Sequence, residues 1–141
     1  MLEAGINVNT KTVNGVNCLL ALADRKRIHG HFLAITKLLI ESKIDLNTKE
    51  GKEGNNILIS LLQNFSKQTL EIVRFLTKHE IEVNAINKSG FNALLSLAKT
   101  RTVLTPTENR DFTEIFKILL QKSIDITQKN SDGMNVLHLL W

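Results

Sequence analysis

The sequence predicts an all-α repeat solenoid, built of stacked helix-turn-helix units joined by short β-hairpin-like loops. Three observations predict it. First, four markers recur in fixed order. The pairs Val8-Asn9, Leu46-Asn47, Val83-Asn84 and Ile126-Thr127 stand 38, 37 and 43 residues apart. Six or seven residues after each pair comes Gly15, Gly54, Gly90 or Gly133; two residues further on comes Asn17, Asn56, Asn92 or Asn135; two more lead to Leu19, Leu58, Leu94 or Leu137. Self-similarity at such a period is the mark of stacked repeats. Second, two stretches of helically spaced apolar residues follow each of the first three marker sets. Third, the connections between units are polar runs containing Gly, such as Ala85-Ile86-Asn87-Lys88-Ser89-Gly90, which suit tight turns.

Each unit opens with a short helix. Asn is a preferred N-cap because its side-chain oxygen accepts a hydrogen bond from an orphan N–H of the first turn. The first helices are therefore placed from Asn17 to about Asp24, Asn56 to about Asn64 and Asn92 to about Lys99, with a fourth from Asn135 onward. A longer second helix follows: about Phe32 to Ser42, with Ile35, Leu38 and Leu39 facing inward; about Lys67 to His79, with Leu70, Val73 and Leu76 or Phe75 inward; and about Asp111 to Lys122, with Ile115, Ile118 and Leu119 inward. Asp111 and Glu114 have the spacing of a capping box. Helices this short are marginal alone and need neighbours against which to bury their faces.

These markers divide a single domain, 1–141, into the tail of a preceding unit (1–11), three units (12–48, 49–85 and 86–128) and the start of a further one (129–141). Length varies only between the two helices of a unit, at Arg25 to Gly30 and at Thr100 to Asn109, where the only proline, Pro106, precedes the second helix. Both ends fall inside a unit, so the chain is expected to be a piece of a longer array.

Composition narrows the class. The apolar fraction of 43% supports a core, while the aromatic content of 5% leaves Leu and Ile to fill it. A single cysteine, Cys18, excludes an internal disulfide framework and favours an intracellular, reducing compartment, cytoplasmic or nuclear. The longest apolar stretch, Phe32 to Ile40, is interrupted by Thr36 and Lys37, far short of the roughly 20 residues of a membrane span. The formal charge of +4 leans toward acidic partners.

Nothing in the chain spells an enzyme. It contains no P-loop, G-x-G-x-x-G, G-x-S-x-G or H-E-x-x-H motif. His29 and His31 form an H-x-H pair, which is an incomplete metal set and reads more simply as a solvated turn. His79 suits the C-terminal end of a helix dipole. Cys18 reads as a semi-buried structural thiol. Neither metal, cofactor nor small-molecule substrate is called for.

The residues resemble the ankyrin repeat family, whose unit is a hairpin, a short helix, a tight turn and a longer helix of about 33 residues in all. Leu38-Leu39-Ile40-Glu41-Ser42-Lys43-Ile44-Asp45-Leu46-Asn47 resembles the family's "LLLExGADVN", Leu70 to Leu76 its "LEIVKLLL", and Gly133 to His138 its "GxTPLH". Leu2 to Asn9 resembles the tail of a preceding unit. The array is divergent. Asn stands for the family's Thr at all four first-helix starts. Cys18, Ile57, Ala93 and Val136 replace its Pro. The family's His, which bonds within the repeat turn, survives as His138. The Gly that ends the second helix survives as Gly5, while Lys43, Glu80 and Ser123 replace it elsewhere.

The expectation is a non-catalytic protein–protein interaction module that binds through the concave surface of hairpins and first helices. Its partner-binding residues are placed at Lys11, Val13, Lys49, Lys52, Ile86, Lys88, Lys129 and Ser131 on the hairpins, and at Ala21, Ser60 and Ser96 on the first helices. A Lys on or near every hairpin would form a basic lip suited to an acidic segment of the partner. Two alternatives stand beside this. One is nucleic-acid or anionic-surface binding through the same lysines, against which the lack of aromatic residues on the hairpins counts. The other is a regulatory or scaffold part of a larger enzyme, channel or effector.

Overall fold

The computed structural model describes residues 9–13, 15–23, 31–49, 53–100 and 105–140. These hold seven α-helices and no strand: α1 (Cys18–Ala23), α2 (Phe32–Glu41), α3 (Ile57–Gln63), α4 (Thr69–Leu76), α5 (Ala93–Thr100), α6 (Pro106–Gln121) and α7 (Val136–Leu140). The fold is all-α. Where β-hairpin-like loops were expected, the chain makes tight turns without strand pairing.

Asparagine starts α1, α3, α5 and α7, as the sequence predicts. The side-chain oxygens of Asn17, Asn56, Asn92 and Asn135 accept from the backbone N–H of Leu20, Ile59, Leu95 and His138, at 3.0, 3.0, 2.9 and 3.2 Å. Each bond satisfies a third-residue N–H that the helix leaves orphaned. At α7 the cap is reciprocal, because the Asn135 N–H donates to Nδ1 of His138.

Helix α6 starts earlier than expected. Its cap is Thr105, whose Oγ1 accepts from the Glu108 N–H while the Glu108 carboxylate accepts from the Thr105 N–H. Pro106 occupies the first helical position, where its missing N–H costs nothing. Thr105 and Glu108 form the capping box that Asp111 and Glu114 were expected to supply. The Thr105 hydrogen bonds hold the Glu108 carboxyl below its usual pKa.

The helices pack in two layers. α1, α3, α5 and α7 lie in a row, each against the next; α4 packs on α6; and α1 with α2, α3 with α4, and α5 with α6 join the layers. Since α3 and α5 have neighbours on every side, residues 57–62 and 93–98 are all buried. The outer layer shows more solvent-facing surface. In α2 the inward face is Phe32, Thr36 and Leu39, whereas Ile35 and Leu38 are 37% and 54% exposed. The spacing was right but the phase was not: two apolar side chains were placed inward that lie on the outer side. Lys37 of α2 lies 5.6 Å from the ring centroid of Phe75 in α4, and Arg74 of α4 pairs with Glu114 of α6 at 3.7 Å. Such exposed contacts add little stability.

Two of the three outer helices end alike. Lys43 and Ser123 are left-handed, at φ 63° and 61°. The N–H groups of Lys43 and Ile44 donate to Ile40 and Leu39, and those of Ser123 and Ile124 donate to Leu120 and Leu119, which is the Schellman arrangement. Ile44 and Ile124 are buried beside it. α4 ends differently. Its cap is Thr77, whose hydroxyl donates to the Val73 carbonyl, and Glu80 does not adopt the left-handed conformation. The departure expected at Glu80 is therefore a change of backbone, whereas at Lys43 and Ser123 the left-handed turn is made without Gly, at a cost of roughly 1 kcal/mol each.

Candidate functional site

Three segments that follow outer helices are held by asparagines in the same way. Asn47 donates to the carbonyl of Glu80 at 3.4 Å and accepts from the N–H of Glu82 at 2.7 Å. Asn56 donates to the carbonyl of Glu82 at 3.1 Å. The peptide groups flanking Glu82 are thus gripped on both sides by side chains of the preceding segment. Asn9 and Asn17 grip Asp45 in the same way, as Asn84 and Asn92 grip Asp125. The gripped acidic residues also turn back on themselves: Asp45, Glu82 and Asp125 accept from the N–H two residues on. At Asp125 the Thr127 hydroxyl and N–H both donate, and they hold the carboxyl below its usual pKa.

The loops before α5 and α7 are built alike. The Asn87 N–H donates to the Phe91 carbonyl and the Gly90 N–H to the Asn87 carbonyl; Asn130, Met134 and Gly133 repeat this pattern. The side-chain oxygen of Asn87 accepts from Ser89 and Phe91, and that of Asn130 from Asp132 and Met134. Gly90 needs to be Gly twice over. Its φ is +79°, and a Cβ there would lie 3.0 Å from Cα of Asn130 and 3.1 Å from the Lys129 oxygen. Successive loops are tied through the backbone, with the Lys88 N–H donating to Glu53 at 3.0 Å and the Ser131 N–H to Ser89 at 2.9 Å.

Between these loops and the inner helix row lies a cleft of about 480 Å³, lined by Glu53, Gln63, Asn87, Ser89, Phe91, Ser96, Lys99 and Thr100. A line of amides runs along it. Because the Asn87 oxygen takes two backbone donors, its Nδ2 is turned to Asn55, at 2.9 Å; Nδ2 of Asn55 in turn donates to Oε1 of Gln63, at 3.0 Å. The chain of donors therefore ends on the carbonyl oxygen of Gln63, which leaves the Gln63 Nε2 as its terminal donor. Nζ of Lys99 lies 5.2 Å from the ring centroid of Phe91, within cation–π range. Among the described residues no carboxylate pairs with Lys99. The buried Oγ of Ser96 has no hydrogen-bond partner. A second, shallower depression of about 240 Å³ is lined by Lys11, Thr12, Val16, Asn17, Cys18 and Ala21 among others.

The expected partner-binding residues divide. Lys11, Val13, Ala21, Lys49, Ile86, Lys88, Lys129 and Ser131 are exposed. Lys49 donates to the Ile86 carbonyl at 3.3 Å, so one lysine of the lip is already engaged with the next loop. Lys52 and His29 lie outside the described residues. Ser60 and Ser96 are corrected as exposed positions: at 2% and 1% exposure they are buried, because the flanking helices cover both sides of α3 and α5, although Ser96 still forms part of the cleft wall. Cys18 is corrected too, being exposed rather than semi-buried. Gln63, Phe91 and Lys99 were not singled out. Lys99 stands seven residues after the Asn92 cap and Gln63 seven after Asn56, so one shared position of the short helices supplies both polar walls.

Among the described residues no three His, Cys, Asp or Glu side chains come together to hold a metal, and no helix is long and apolar enough to cross a membrane. Compared with models of known protein families, the sequence matches none.

Proposed function

We propose that the chain is an ankyrin-like stack of repeats, and that its face of loops and inner helices binds another protein without catalysis. The observation that carries this reading is the cleft of about 480 Å³ between the loops and α3 and α5. It combines an aromatic ring, two amides and two oppositely charged residues, contributed by the loops and by the buried row of inner helices. Recognition surfaces are built from such aromatic and polar groups on a fixed scaffold. The recurring asparagine grips support the repeat reading, because the same three contacts join successive segments. The exposed lysines Lys11, Lys88 and Lys129 extend the face along the loops and favour an acidic partner.

The test is capture of partner proteins by the chain and by a variant carrying Lys11→Glu, Lys88→Glu and Lys129→Glu. Charge reversal at exposed sites is expected to leave the helical content unchanged and to cut capture by about tenfold or more. Unchanged capture removes the loop lysines from recognition. Retention that instead tracks added nucleic acid and collapses steeply with salt favours the anionic-polymer reading.

A further inference from the structure

We propose that the cleft bounded by Glu53, Gln63, Phe91, Ser96 and Lys99 is the specificity pocket of this surface, and that it takes the side-chain carboxylate of an Asp or Glu in a partner polypeptide. This rests on the protein-binding reading above and names the chemistry of its central contact.

Two features converge on an acceptor. Lys99 is exposed, is held near the face of Phe91 and has no carboxylate partner among the described residues. A cation set against an aromatic face is preorganised and loses less freedom on pairing than a solvated one. The line from Asn87 through Asn55 to Gln63 is orientated by two backbone donors and delivers an amide N–H₂ at its far end.

Glu53 makes the pocket selective. Its carboxylate lines the same cleft, so an occupant with two adjacent acidic groups is repelled, while a backbone N–H of the partner is welcomed. The predicted occupant is therefore a single acidic side chain on an extended segment. A free dicarboxylate or a run of acids fits less well. The loop lysines steer such a segment toward the face, and Lys99 reads it.

The test is selection of binders from a displayed random-peptide library, run on the unaltered chain and on Lys99→Glu and Lys99→Gln. Peptides selected on the unaltered chain are expected to share one Asp or Glu position. Replacing that residue by Gln in the peptide, or Lys99 by Gln in the chain, should each weaken binding by about tenfold. On Lys99→Glu the shared position should turn to Lys or Arg, and a peptide with Glu→Lys should regain binding to that variant. NMR signals of Gln63 and Phe91 should shift on adding the selected peptide. Peptides selected without a shared acid, or binding unchanged by Lys99→Gln, overturn the pocket while leaving the protein-binding reading intact. Failure to select any peptide on the folded chain overturns both.

Discussion

The same acidic residue is gripped by two asparagines that differ in burial and in what else they hold. Asn84 holds the N–H of Asp125 from solvent, and Asn92 holds its carbonyl from the core; Asn92 is 1% exposed. Both make good bonds, yet they should not contribute equally. Water replaces a lost bond at Asn84, and reaches less readily the part-buried bond at Asn92. Asn92 also carries the cap of α5, so its loss strands two polar groups. Burial more than bond length decides what each asparagine is worth.

The largest expected effect breaks the buried grip. Asn92→Ala should destabilise the fold by about 2 kcal/mol in urea unfolding, the sum of a lost buried cap and a part-buried carbonyl left without its donor. Asn92→Ser sharpens this, since its hydroxyl still accepts from the Leu95 N–H as a helix cap but is too short to reach the Asp125 carbonyl. It should therefore fall between Ala and the unaltered chain. A cost for Asn92→Ala near that of Asn84→Ala would dissolve the distinction. Asn84→Ala itself should cost about 1 kcal/mol by the same measurement.

The smallest effect is electrostatic. The hydrogen bonds from Thr127 lower the pKa of Asp125 from 3.8. A carboxyl with a depressed folded pKa contributes stability above its unfolded value and loses it as pH falls through the folded one. Unfolding measured from pH 5 downward should therefore show the unaltered chain losing stability below about pH 4 relative to Asp125→Asn, which keeps an acceptor without titrating. Parallel curves would show that the exposed turn adds nothing measurable.

Much of this fold was legible because asparagine and glycine act locally. A cap needs only its own helix start, so Asn17, Asn56, Asn92 and Asn135 could be read one at a time. What escaped depends on neighbours. Ser60 and Ser96 look like solvent positions, and only the helices packed on both sides bury them. Ile35 and Leu38 look like core, and only the direction from which α1 approaches α2 chooses Phe32, Thr36 and Leu39 instead. The cap of α6 was missed for a different reason: Pro106 reads as a breaker unless its place at the first turn is recognised. The cleft was half legible. Its loops were foreseen, but Gln63, Phe91 and Lys99 come together from three segments, and no single stretch announces them.

The ties between successive loops, Lys88 to Glu53 and Ser131 to Ser89, use backbone atoms alone. A grip made of peptide groups is indifferent to the side chains it carries. Lys88 and Ser131 could mutate with little penalty to the frame, while Asn56 and Asn92 could not. Sequence drift would then be channelled to the rim that meets a partner and kept from the interior that sets its spacing, so the surface can acquire new tastes without relearning how to fold.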